Sequence, residues 1–269
     1  NSRLEGLKAG NELEMPGNEG ETNRELKKAF EEGKLDEKTI NESVDRLLSL
    51  IESTNIEKPD TKLDFDAHHD LARKAAEQSI VLLKNTDNIL PIDKNKKVSL
   101  IGELGETMRI QGAGSSQVNP TVEESLLTKI RETDALNFIG YERGYKRFKN
   151  RSSKCLTRKA RKLAGKSDVA IVVLGLDETR EAEGLDRTTM KLPDNQIKLI
   201  ESLKEVNDNI VVVLTVGAPV TLEFEANVKG LLHAYLSGQA GPSALINILS
   251  GKTNPSGKLS ETYPLTYED

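Results

Sequence analysis

The chain has 269 residues, 36% of them hydrophobic, with a formal net charge of −5 at pH 7. That length and apolar content are enough for a substantial core, and the acidic balance speaks against a general nucleic-acid binder. No apolar segment approaches the roughly 18 to 20 residues that a bilayer crossing takes.

The N-terminus, Asn1-Ser-Arg-Leu-Glu, has neither an initiator Met nor the apolar region of a signal peptide, so the chain is expected to be a piece of a longer protein. The lone Cys155 forms no internal disulfide, which fits a cytoplasmic setting and is compatible with secretion as well. Residues 26–33 and 37–52 read as helices. On the second, Ile40, Val44, Leu47, Leu48 and Ile51 recur at spacings of three and four and form an apolar stripe. A proline among polar residues at 57–64 breaks the pattern as a linker does, and the domain boundary is set there, giving segments 1–57 and 58–269.

A helix over about 66–78 leads into Ile80-Val-Leu-Leu83. Strands are then expected at 98–101, 137–141, 169–174, 210–216 and 230–236, and helices near 122–132, 156–165, 194–206 and 240–250. Alternation of this kind, with unbroken Val/Ile runs, indicates a parallel sheet covered on both faces: a doubly wound α/β fold. In such sheets the chemistry sits at the carboxyl ends of the strands.

The segment after the 169–174 run is the most informative. Asp177, Glu178, Glu181 and Glu183 place four carboxylates within seven residues. The bland alternative is a solvated acidic loop partly neutralised by Arg180 and Arg187. Upstream, Gln111-Gly-Ala-Gly-Ser-Ser116 has two glycines that permit a close backbone approach or a turn. It lacks the Gly-Lys-Ser/Thr ending of a P-loop and the third glycine of a dinucleotide fingerprint, so a plain turn outweighs nucleotide binding.

Residues 143–166 carry eleven Lys or Arg with Tyr145 and Phe148 interleaved, and read as a solvated loop and amphipathic helix rather than a nucleic-acid patch. His68, His69 and His233 have no metal-ligand spacing with Cys155, so no metal site is expected. No nucleophile elbow is present.

Five blocks in order carry a family resemblance. They are residues 7–17 (Leu-Lys-Ala-Gly-Asn-Glu-Leu-Glu-Met-Pro-Gly), 69–85 (His-Asp-Leu-Ala-Arg-Lys-Ala-Ala-Glu-Gln-Ser-Ile-Val-Leu-Leu-Lys-Asn), 111–116, 181–187 (Glu-Ala-Glu-Gly-Leu-Asp-Arg) and 254–264 (Asn-Pro-Ser-Gly-Lys-Leu-Ser-Glu-Thr-Tyr-Pro). Together they resemble the ordered motifs of glycoside hydrolase family 3 β-glucosidases.

The resemblance implies a (β/α)8 barrel followed by a six-stranded, mostly parallel α/β sandwich, with a sugar held between them. Residues 1–57 then correspond to the tail of the barrel domain and 58–269 to the sandwich. It also implies a retaining mechanism with two carboxyl groups, one a nucleophile and one an acid and then a base. Glu183, the Glu before Gly, matches the general acid/base, with Glu181 as runner-up. Ser115 matches a hydroxyl contact to the sugar, and Gly114 and Arg187 are expected beside it.

The family's nucleophile is an Asp, usually in a Ser-Asp-Trp motif of the barrel. This sequence has no tryptophan, so the nucleophile is expected to lie outside it. The implied partners are a β-glucoside or oligosaccharide and the barrel domain of the same enzyme, with no cofactor and no metal. An apolar stripe left uncovered on residues 37–52 makes self-association a further expectation. The competing reading is a non-catalytic sugar-binding or interaction module that keeps the sandwich fold; the absence of Trp removes the aromatic platform many such modules use.

Overall fold

The computed structural model describes residues 2–55 and 62–268. The chain divides into two compact units, Asn1–Leu63 and Asp64–Asp269. The boundary expected at 57/58 falls within 56–61, outside the described residues.

The first unit is helical: α1 (Arg3–Lys8), α2 (Glu21–Glu31) and α3 (Glu37–Thr54). Ser2 caps α1 by accepting from the Glu5 N–H at 3.3 Å, and Asp36 caps α3 by accepting from the Thr39 N–H at 2.7 Å. That second bond holds the Asp36 carboxyl below its ordinary pKa. Helix α2 starts five residues before the apolar periodicity suggests. Its first turn is polar, and Gly20 takes the left-handed conformation (φ 84°) that launches it. Leu7, Ala29 and Leu35 form a small core with Leu4, Leu26 and Ile40 against it. On α3, Val44, Leu48 and Ile51 are exposed and Leu47 is half-buried.

The second unit opens with α4 (Phe65–Ser79), which feeds strand β1 (Val81–Asn85). There follow β2 (Lys97–Ile101), the single turn α5 (Glu103–Glu106), α6 (Leu126–Glu132), β3 (Asn137–Glu142), α7 (Lys154–Ala164) and β4 (Val169–Gly175). The chain closes with α8 (Asp194–Lys204), β5 (Ile210–Thr215), β6 (Gly230–His233) and α9 (Gly241–Leu249). The six strands form one sheet in the order β1-β6-β5-β4-β2-β3; β1 is antiparallel to β6 and every other pairing is parallel. This is the doubly wound fold that the alternation of strands and helices predicts, with the six strands that the resemblance implies. Every residue of β4 and β5 is buried, which is why both read as unbroken apolar runs. No helix among the described residues is long and apolar enough to cross a membrane.

In the second unit, two elements fall furthest short of the range the sequence suggests. The helix expected over 122–132 begins at Leu126, because Ser125 accepts from the Thr128 N–H at 3.0 Å as its cap. Glu124 just before it turns away to accept from the backbone N–H of Ser243 (2.9 Å) in the first turn of α9. Burial acts to raise the Glu124 pKa, but hydrogen bonds from His69 and Ser243 and the charge of Lys129 outweigh it and hold the carboxyl below its usual range. The strand expected over 230–236 stops at His233, since Tyr235 leaves the sheet with φ 50°.

The C-terminal block at 254–264 closes the β1 edge. The Gly257 N–H donates to the Ile80 carbonyl at 3.1 Å, and a Cβ on Gly257 would lie 2.1 Å from the Ser79 oxygen. Tyr263 reaches His233, contacting its Nε2.

The sheet order reverses between β2 and β4: the chain winds outward from β2 to β3, returns beside β2 as β4, then winds the other way. Loops leaving the carboxyl ends of β2 and β4 therefore diverge and leave a crevice, the place where open α/β sheets bind ligands.

Candidate active site

Strand β4 delivers its following loop from a fixed point. Gln196 of α8 accepts from the Gly175 N–H at 2.9 Å and donates to the Gly175 carbonyl at 2.8 Å, so both backbone groups of the last β4 residue are held by one buried amide. Gly175 itself has no room for a side chain: a Cβ would sit 2.1 Å from the Thr215 carbonyl oxygen on β5. At the end of β2, Gly102 (φ 119°) plays the same part, since a Cβ there would lie 2.4 Å from the Val173 oxygen.

The four carboxylates of the β4 loop have different fates. Asp177 is buried, pairs with Arg180, and accepts from the Thr179 N–H at 2.9 Å, which folds the first turn of the loop. Glu178 pairs with Arg147, whose Nη1 also donates to the Thr107 carbonyl at 3.1 Å. Glu181 pairs with Arg109, and the Gly217 N–H donates to both its carboxylate oxygens at 3.0 and 3.1 Å. Only Glu183 has no cationic partner among the described residues. It is exposed, and its Oε2 accepts from the hydroxyl of Ser115.

Ser115 comes from the β2 side. The segment 111–118 is closed by Gln111, whose side chain accepts from the Val118 N–H (2.9 Å) and donates to the Val118 carbonyl (3.0 Å). Gly114 turns the chain at φ 88°, and its carbonyl accepts from the Gln117 N–H at 3.1 Å. A Cβ on Gly114 would lie 3.5 Å from the Glu183 Cβ, an ordinary contact, so the glycine is required by its φ rather than by space against Glu183. No helix starts in this segment. Around Glu183 lies an open pocket of about 500 Å3, with Arg109, Ser115, Glu181 and Gly217 among its walls.

Of the residues singled out from sequence, Gly114, Ser115, Glu181 and Glu183 come together. Arg187 does not join them: it donates to the Pro219 carbonyl at 2.8 Å and lines a separate pocket of about 460 Å3 with Leu185 and Asp186. Arg109 is the residue that sequence reading missed. The available signal was a single cation between Met108 and Ile110, both buried, eight residues beyond β2.

Glu183 thus presents to an open pocket a carboxyl group with a hydroxyl donor and no paired cation. The other three carboxylates are committed to arginines. Among the described residues no three His, Cys, Asp or Glu are grouped to hold a metal ion.

Residues 80–269 match the model of the glycosyl hydrolase family 3 C-terminal domain. The thermostable β-glucosidase B of Acetivibrio thermocellus is 44% identical over 268 residues, covering 98% of this chain and 35% of that protein. An exo-α-(1→6)-L-arabinopyranosidase of Bifidobacterium breve is 34% identical over 275 residues, covering 98% of the chain and 36% of that protein. Among solved structures, the family 3 β-glucosidase of Bifidobacterium adolescentis superposes with a TM-score of 0.86 at 35% identity, over 99% of this chain and 39% of that one. β-Glucosidase 3B of Thermotoga neapolitana, solved with glycerol, gives 0.82 at 30% identity, over 99% and 42%. The chain thus spans about a third of the length of the relatives it matches in sequence. With the sheet order, the switch-point loops and the family model in agreement, the chain belongs to glycosyl hydrolase family 3.

Proposed function

We propose that this chain is the acid/base-bearing portion of a retaining β-glucosidase, with Glu183 as general acid and then general base. The observation that carries the reading is that Glu183 alone of four clustered carboxylates is free of a cation and faces the pocket. A proton donor must present a carboxyl oxygen to the leaving group, and a carboxylate whose oxygens are engaged by an arginine is not free to do so. Glu181, the runner-up, is locked in this way by Arg109.

The nucleophile and most of the sugar-binding surface belong, on this reading, to a (β/α)8 barrel domain of the same enzyme, of which residues 1–57 are the tail. The segment 112–116 faces the sugar, with Ser115 as a hydroxyl contact. The glucoside preference rests on the 44% identity to a β-glucosidase; a relative named for α-L-arabinopyranoside cleavage shows that the glycone varies at 34%.

The test uses the full-length enzyme. Glu183→Ala should keep most of its kcat/KM on aryl glucosides with activated leaving groups, which need little protonation, and added azide should restore turnover by replacing the base-activated water. Azide rescue of Glu181→Ala and not of Glu183→Ala would exchange the two assignments.

A further inference from the structure

We infer that Arg109 is a positioning residue for Glu183, the buried post that holds the acid/base loop in register with the sheet. The inference rests on the reading of Glu183 as the acid/base.

Arg109 grips one residue twice: Nη1 pairs with the Glu181 carboxylate, and Nη2 donates to the Glu181 carbonyl at 2.8 Å. Fixing both the side chain and the carbonyl sets the plane of the peptide that leads to Ala182 and then Glu183. The same carboxylate is also held by the Gly217 N–H, two residues beyond β5, which donates to both its oxygens, and a Cβ on Gly217 would lie 3.1 Å from Glu181 Oε1, tighter than a side chain normally sits. The loop after β4 is thus fastened to the loops after β2 and β5 through one residue.

Stability is a poor explanation for this arrangement. The Arg109 side chain is 2% exposed and that of Glu181 14%, and a buried ion pair is commonly replaced by apolar side chains of similar volume at no loss of stability. An apolar pair, however, has no donor for the Glu181 carbonyl. Arg109 also lies at the head of the segment that ends in Gly114 and Ser115, so one stretch of chain both fastens the loop at Glu181 and touches its working end at Glu183.

The experiment compares kcat/KM for phenyl and 2,4-dinitrophenyl β-glucosides in the full-length enzyme and its Arg109→Met, Arg109→Lys, Glu181→Gln and Glu183→Ala variants. A displaced acid matters where the leaving group needs a proton. Arg109→Met should therefore lose roughly 100-fold on the phenyl substrate, the scale of a misplacement near 1 Å, with only a few-fold loss on the dinitrophenyl one. Arg109→Lys, which keeps a donor, should recover part of the phenyl activity. If Arg109→Met does not fold, Arg109→Lys and Glu181→Gln carry the same comparison, each with a smaller but unequal loss. Equal losses on both substrates, or none, in folded Arg109 variants while Glu183→Ala shows the unequal pattern would overturn the positioning role alone. Absence of that pattern in Glu183→Ala would overturn the acid/base reading, and the inference with it.

Discussion

The Ser115 hydroxyl donates to the Glu183 carboxylate across 68 positions of sequence, joining the loop after β2 to the loop after β4 at the switch point of the sheet. Among the described residues this is the hydrogen bond that the Glu183 side chain makes across the crevice, and it comes from a turn in which Gly114 takes φ 88°. Ser115→Ala removes the donor and should lower kcat/KM of the full-length enzyme on phenyl β-glucoside by about tenfold, in line with a hydrogen bond to a charged group on an exposed edge. Ser115→Thr keeps the hydroxyl and should fall between. Identical kinetics for wild type and Ser115→Ala would mean that the contact does not persist in the substrate complex.

The 269 residues expressed alone should hydrolyse aryl β-glucosides no faster than their Glu183→Gln variant. Retention needs a second carboxyl about 5 to 5.5 Å from the first. The other carboxylates of this loop, Asp177, Glu178 and Glu181, are each bound to an arginine and unavailable for attack. Turnover by the pure chain that disappears in Glu183→Gln would show that a nucleophile lies within these residues.

What was legible in the sequence follows from what periodicity encodes. Strands β4 and β5 announce themselves because both faces are buried, and the order of motifs fixes the fold class. Local departures were not legible: the early end of β6 depends on a left-handed Tyr235, and the late start of α6 on a Glu124 that caps another helix. At the site, Glu183, Gly114 and Ser115 were readable as motif positions. Arg109 was not, because its meaning lies in a partner 72 residues away and in burial, neither of which a single Arg between two apolar residues displays. Arg187 stood in the motif but turns to Pro219 instead of toward Glu183.

The close packing of β4 on β5 gives a sharp test of the scaffold. Gly175→Ala drives a Cβ to 2.1 Å from a backbone oxygen and 2.4 Å from the Thr215 Oγ1, and the backbone has no free end to move aside. The substitution should cost about 1 to 3 kcal/mol or more, and should disturb the Gln196 clamp that launches the acidic loop. Gly165→Ala is the control: its Cβ would meet ordinary contacts, 3.4 Å from the Arg161 oxygen and 3.9 Å from the Val206 Cβ, and its φ of −68° suits any residue. Urea unfolding of the two variants should separate them clearly; equal midpoints would mean that β4 and β5 can part at no cost.

His233 gives the fold a pH dependence with a window of its own. It is fully buried on β6, its Nδ1 accepts from the Tyr235 N–H at 3.2 Å, and its Nε2 therefore carries the proton and donates to the Tyr263 oxygen. Burial pushes its pKa down to about 4. A group whose folded pKa lies below its unfolded value of about 6.5 binds protons mainly in the unfolded chain between those limits, so stability is full above pH 6.5 and falls as pH drops toward 4. Taking the two values, the loss between pH 7.5 and pH 5 is about 2 kcal/mol. The carboxylates held low, such as Glu124, act in the same direction but only as pH falls below their ordinary range, so the two contributions separate. His233→Gln should flatten the dependence of the urea midpoint between pH 7.5 and 5 while leaving the further fall at lower pH in place. Parallel curves for the variant and the wild type across that upper window would mean that His233 takes up its proton over the same pH range in the folded chain as in the unfolded one, and that burial does not hold it neutral.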